Sequence, residues 1–126
     1  PEVGGVWQDW TPSYSGYLSM TVSLVTNYFT RYRDNGDDVD ITLFIRVQTG
    51  GTASRGIYIT TPTSISVTNV QKISAQVLDQ GGGWSSCIGF LNTNGKLEVR
   101  KNTESNFALG NSCYIMMNGK YLKSGI

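Results

Sequence analysis

Ten consecutive residues, Val39–Gln48 (VDITLFIRVQ), alternate without a fault. Val39, Ile41, Leu43, Ile45 and Val47 fall on one side, and Asp40, Thr42, Phe44, Arg46 and Gln48 on the other. A period of two is the pleat of a β-strand, and a strand with one aliphatic face must bury that face against a core. Phe44 is the one large apolar residue on the opposite side, which predicts partial cover there too. No segment of ten or more residues carries the stripe of an amphipathic helix. Composition agrees: 15 glycines stand beside 13 serines, 13 threonines and nine asparagines. These residues suit pleated surfaces and tight turns. An apolar share of 39% is enough for a core and argues against disorder.

Other segments repeat the pattern more briefly. Met20–Leu24 alternates, and the register then changes at Leu24-Val25, which predicts a bulge. The strand resumes through Tyr28, Thr30 and Tyr32, interleaved with Arg31 and Arg33. Shorter strands are predicted at Arg55–Thr60, Ile65–Thr68, Lys72–Leu78, Cys87–Leu91, Lys96–Lys101 and Ser112–Met117, with an edge strand at Lys120–Leu122. Asp34-Asn35-Gly36-Asp37 reads as a tight turn, Asn92–Gly95 as a hairpin loop and Asn118-Gly119 as a two-residue hairpin turn. Gly50-Gly51 and Gly81-Gly82-Gly83 read as looser connections. Eight or nine short strands with regular turns predict an all-β fold, an antiparallel β-sandwich of jelly-roll type. The length of 126 residues suits one domain, residues 6–126, with Pro1–Gly5 as the remnant of a linker. The opening PEVGGVWQDW has no basic or apolar leader pattern and no initiating Met, so a piece of a longer protein is expected.

Several chemistries are poorly served by these residues. Ten Lys and Arg against nine Asp and Glu leave a net charge of +1 with no basic stripe, which argues against nucleic acid. No apolar run approaches the ~20 residues of a membrane helix, so no membrane insertion is expected. With no histidine there is no Ser-His triad and, with two cysteines, no complete zinc set. The nine carboxylates show no spacing that marks an acid–base pair, so no enzyme activity is expected. Asp34, Asp37, Asp38 and Asp40 lack the alternation of a calcium loop and read as a solvated turn, with a weak cation site as the alternative. Gly81–Gly83 lacks the Lys-Ser/Thr of a phosphate loop. No cofactor and no metal are expected.

The aromatic residues are more informative. Trp7 and Trp10, three apart, should face opposite sides of a strand, one toward the core and one toward solvent or an interface. Trp84 follows three glycines and precedes Ser85-Ser86. An indole left in water is costly, so Trp84 either folds back on the protein or covers a partner, a sugar ring or a subunit. Tyr28, Tyr32 and Tyr58 are candidates for an aromatic band on one sheet face, or else ordinary packing. Trp84, Ser85, Ser86, Tyr58, Asp37 and Asp38 are therefore the candidate ligand residues, on or near the loops 35–38 and 81–86; loops 50–54 and 102–111 are further candidates. Trp7, Trp10 and Met116 are candidates for a subunit contact. Cys87 and Cys113 lie in apolar runs and read either as buried thiols or as a disulfide between neighbouring strands.

Three pieces together resemble a family. The chain opens with Trp7-x-x-Trp10-Thr11-Pro12-x-Tyr14-Ser15-Gly16. Arg31-Tyr32-Arg33 then runs into a Gly-Asp turn, a long alternating strand, Gly50–Ser54 and Ile57-x-Ile59-Thr60-x-Pro62. It closes with Ile115-x-x-Asn118-Gly119-x-Tyr121-Leu122. This order resembles the C-terminal head domains of bacteriophage tail fibres and related receptor-binding proteins, with residues 63–112 departing most. The resemblance implies a homotrimeric β-sandwich in the virion, at the distal end of a fibre. It implies adhesion to a bacterial surface glycan: lipopolysaccharide, capsule or wall polymer. The alternative within the same frame is a structural domain that trimerises or caps a fibre or appendage. Assembly in a reducing cytoplasm would favour free thiols. The family's binding residues lie in variable loops, so no residue here inherits a role.

Overall fold

The computed structural model describes residues 5–62, 71–91 and 96–123. Among them there is no helix, and nine strands form one antiparallel sheet. In chain order these are β1 (Trp7–Asp9), β2 (Tyr14–Gly16), β3 (Met20–Asp34), β4 (Asp38–Gly51), β5 (Ile57–Thr60), β6 (Gln71–Asp79), β7 (Ser85–Leu91), β8 (Lys96–Lys101) and β9 (Gly110–Leu122). Their order across the sheet is β1-β3-β4-β9-β6-β7-β8-β5-β2. The antiparallel all-β class is as expected. In place of two facing sheets, however, the described strands make a single ladder curled into a half-barrel.

The curl follows from the alternation. Val39, Ile41, Leu43, Ile45 and Val47 of β4 are all essentially inaccessible. They share the concave side with Cys113, Ile115, Met117 and Tyr121 of β9, Ile73, Ala75 and Val77 of β6, and Ile57, Ile59, Leu97 and Val99 of β5 and β8. One sheet wrapped around its own apolar face buries that face without a second layer. The segment 10–17 straps the opening between β3 and β5. Trp10 donates its backbone NH to Thr30 O at 3.1 Å and its indole Nε1–H to Thr60 O at 3.1 Å. The Thr30 hydroxyl returns a bond to Trp10 O at 2.7 Å, and Thr60 N donates to Ser13 O at 3.1 Å.

The bulge expected at Leu24-Val25 is present, since pairing with β4 skips between Leu24 and Thr26. A second shift lies between Asn27 and Phe29. The Asp34–Asp37 turn also forms, with Asn35 N bonded to Asp38 O at 2.9 Å and Gly36 at φ 96°. Two expectations at the C-terminus are corrected. Asn118-Gly119 is no hairpin turn: β9 runs straight through it, with Asn118 opposite Thr42 and Gly119 opposite Ile41. Lys120–Leu122 is accordingly no edge strand but the end of β9, paired to Asp38–Asp40 in the middle of the sheet. The physical reason is on the concave side, where a Cβ on residue 119 would run into the Ile73 side chain. Glycine serves close packing there rather than turning. The expected strand Ile65–Thr68 and the loop Asn92–Gly95 lie outside the described residues.

Antiparallel order sends the connections to two ends. Residues 17–19, 52–56, 80–84 and 102–109 lie at one end, and the β3–β4 turn at the other.

Candidate functional site

A sheet that buries one face usually offers a polar face to water. The convex face here departs from that. Register places its outward residues in rows across the strands. Phe29, Phe44, Met116, Gln76 and Ser86 form one row, and Arg46, Tyr114 and Leu78 the next. Tyr28, set out of register by the second bulge, stacks on Phe44 with ring centres 4.4 Å apart. Tyr114 lies 6.4 Å from Phe44 and 6.5 Å from Tyr28. The Arg46 guanidinium covers Tyr114 at 5.5 Å and is itself held by Asn111 O at 2.8 Å.

Trp84 completes this platform from a loop. Gln80, Gly81 and Gly82 all take left-handed φ values, 58°, 98° and 79°. Such a path suits glycine, and an added Cβ at Gly81, Gly82 or Gly83 would meet nothing within 4 Å. The chain thereby reverses, and the indole lies over the convex face, 6.1 Å from Phe44 and 6.5 Å from Tyr114. Trp84 remains 43% exposed, Tyr28 47% and Phe29 39%. Several aromatic rings left in water on one face form a patch of the kind that meets a partner.

Beside the platform lies a shallow depression of about 510 Å³. Among the described residues its polar lining is uncharged: Ser74, Gln76, Ser86, Asn102 and Asn118, with Met116 between it and the rings. Hydroxyls and carboxamides supply both donors and acceptors.

The candidates read from sequence are only partly gathered here. Trp84 and Ser86 stand at this site, Ser85 immediately precedes Ser86 on β7, and Met116, expected at a subunit contact, lies at its centre. Tyr58 lies on β5, beyond β6, β7 and β8, 6.4 Å from Tyr17 and beside Glu98. Burial pushes its phenol pKa up, aided by the Glu98 charge. Asp37 and Asp38 belong to the far end, Asp38 in an ion network and Asp37 accepting the Lys123 backbone NH on its carbonyl at 3.0 Å. There Arg33 bonds Asp40 at 2.8 Å, Asn35 bonds Asp38 at 2.8 Å, Lys120 sits 3.7 Å from Asp38, and Lys123 pairs with Asp34 at 2.7 Å. Of the four acids, Asp34, Asp38 and Asp40 thus each pair with a cation, from β3, β9 or the residue after β9. The expected band of Tyr28, Tyr32 and Tyr58 is not one feature. Tyr28 is on the convex platform, and Tyr32 packs edge-on to Trp10 at 6.1 Å against the core. Trp10 therefore faces the core, while Trp7 lies on the other face under the Arg33 guanidinium at 5.0 Å.

Loop 102–109 is tied down rather than free. Phe107 is fully buried, its NH bonded to Ser54 O at 2.8 Å. Asp79 accepts Ala108 N at 2.9 Å and Lys101 Nζ at 2.6 Å, and the Thr49 hydroxyl donates to Ala108 O at 2.7 Å. Cys87 and Cys113 are free, buried thiols, and burial pushes each up to about 12.

The residues missed from sequence are Tyr114, Gln76, Asn118 and Phe29. Phe44 and the CYIMM alternation held a signal for two of the rows. Comparison with protein-family models, curated proteins and solved structures found no match to the chain.

Proposed function

We propose that this domain is a non-catalytic receptor-binding head of a bacteriophage tail fibre, at the distal end of the fibre in the virion, and that it adheres to a bacterial surface saccharide. The observation that carries the reading is the exposed ring platform of Trp84, Phe44, Tyr28 and Tyr114 beside an uncharged hydroxyl and carboxamide depression. Sugar rings offer apolar C–H faces to aromatic rings and hydroxyls to side chains of this kind. Tyr28, Phe44 and Tyr114 stand on paired strands and Trp84 packs against them from its loop, so little order would have to be gained on binding. Most of the described carboxylates are held by cations or amides, which fits adhesion better than acid–base chemistry.

The expected outcome is binding to whole host cells and to a glycan panel, with Trp84→Ala losing at least about tenfold in affinity, or ~1.4 kcal/mol. Its melting temperature should stay near that of the parent, because Trp84 is half exposed. Unchanged affinity in a folded Trp84→Ala variant would remove Trp84 from the site, and no adhesion to any strain or glycan would remove the reading.

A second reading has its own observation. Leu24 and Val25, at the first bulge, are 41% and 43% exposed and form an apolar spot of their own on β3, where register sets Leu24 opposite Val47 rather than on the side of Phe29. Such a surface suits a contact between copies in a homotrimer, and a structural capping role would need only that. Light scattering at micromolar concentration should give three times the chain mass, reduced by Val25→Asp. A monomer at that concentration would count against the trimer.

A further inference from the structure

A second depression, of about 540 Å³, lies on the same convex face. It is lined by Trp7, Arg33, Asp40, Thr42, Asn118 and Lys120. Pairing sets four of these in one row: Trp7 opposite Arg33, Arg33 opposite Asp40, Asp40 opposite Lys120. The charges in it are matched, Arg33 to Asp40 at 2.8 Å and Lys120 to Asp38 and Asp40 at 3.7 and 3.8 Å. No unopposed charge would draw an anion. Trp7 forms the far wall, held by the Arg33 guanidinium.

Asn118 lines both depressions. Its Oδ1 accepts the Thr42 hydroxyl, and its amide nitrogen has no bond partner among the described residues, which leaves a donor directed to neither neighbour. The two hollows therefore meet at one exposed carboxamide. From Trp7 on β1 to Ser86 on β7 the path crosses five strand gaps. At ~4.8 Å each, that is about 24 Å. This is much longer than a terminal sugar or disaccharide. Both hollows are shallow rather than enclosed, so nothing in them selects a chain end.

Resting on the saccharide reading, we propose that the two depressions form one groove for an internal segment of a linear, uncharged glycan. Asn118 lies at its middle, and Trp7 stacks on the chain at the end opposite Ser86. Trp7 is then a ligand residue rather than a subunit contact.

The test uses the intact chain on a panel of linear β-1,4 N-acetylglucosamine, α-1,4 and β-1,4 glucose and β-1,4 galactose oligomers, from monosaccharide to octasaccharide. Polygalacturonate and polysialate are the acidic counterparts. The expected result is affinity that rises at least about tenfold from disaccharide to hexasaccharide for one neutral series. Trp7→Ala should erase that gain and leave the disaccharide affinity unchanged. Asn118→Val, an exposed change compatible with a strand, should reduce the gain even if Trp7→Ala fails to fold. Affinity independent of length, a preference for the acidic polymers, or full hexasaccharide affinity in folded Trp7→Ala and Asn118→Val would overturn the groove while leaving the Trp84 site standing. Binding to nothing on the panel would overturn the groove, and a failure to adhere to whole host cells as well would overturn both.

Discussion

Phe107 lies in no strand, yet it is wholly buried; its NH is bonded to Ser54, and its neighbours in loop 102–109 are bonded to Asp79, Lys101 and Thr49. The ring closes one end of the half-barrel as a plug. Truncating a buried phenylalanine costs the transfer of the ring and the cavity left behind, about 3–5 kcal/mol. Phe107→Ala should lose that much in urea unfolding, with its midpoint lowered and its slope little changed. A loss below ~1 kcal/mol would mean that the loop collapses into the gap. The thiols make a second residue-scale case. Burial raises both Cys87 and Cys113 to about 12, with the Asp79 carboxylate adding to Cys113. The thiolate is the reactive form. In the folded protein neither should be alkylated by iodoacetamide at mildly alkaline pH, and both should react in denaturant. Prompt labelling of either thiol in the native state would contradict that burial.

At the scale of the element, β9 is the strand that holds the site, and Gly119 is what lets it run unbroken. Gly119→Ala improves strand propensity but forces a methyl into Ile73. Overpacking of this kind costs about 1–3 kcal/mol. Adding Ile73→Ala should make the double variant lose less than the two single losses summed, because the second change opens the space that the first needs. Strict additivity in unfolding free energy would show that the two residues do not press on each other. Gly119 also marks where sequence reading stops. Asn-Gly has the same local chemistry whether the chain turns or a neighbouring strand leans over it, and only the packing partner decides. The alternation of β4 was legible because period two belongs to the strand itself. The first bulge showed as adjacent Leu24-Val25, and the second had a similar mark in Tyr28-Phe29. Three-residue strands such as β1 and β2 are too short to carry a period. For the site, Trp84 could be read from its glycines. The grouping of Trp84 with Tyr58 and Asp37-Asp38 could not hold, because strand order β9-β6-β7-β8-β5 is a long-range property that no local window contains.

The molecule as a whole has an unusual titration. It lacks histidine, the side chain that normally changes charge between pH 5 and 8. Its perturbed carboxylates cluster where the β3–β4 turn meets the end of β9. The Lys123 ammonium and the Gly36 NH hold Asp34 below the ordinary carboxylate range. At Asp40 desolvation pushes upward, but hydrogen bonds from Asn35 and Arg33, with the nearby Lys120 charge, outweigh it, and the net direction is down. A carboxylate whose folded pKa lies below its unfolded value of ~3.9 stabilises the fold above that value and stops doing so as pH falls through the folded pKa. Melting temperature should therefore be level from about pH 5 to 8 and fall below about pH 4. Asp40→Asn keeps a polar side chain but removes the charge, so its plateau should be lower and its acid fall shallower than the parent's. Arg33 and Lys120 would then line the Trp7 depression with less opposing charge, and acidic polymers should gain affinity in that variant relative to neutral ones. A step in stability between pH 6 and 7, or an Asp40→Asn profile parallel to the parent's, would show that the acid sensitivity arises elsewhere in the sheet.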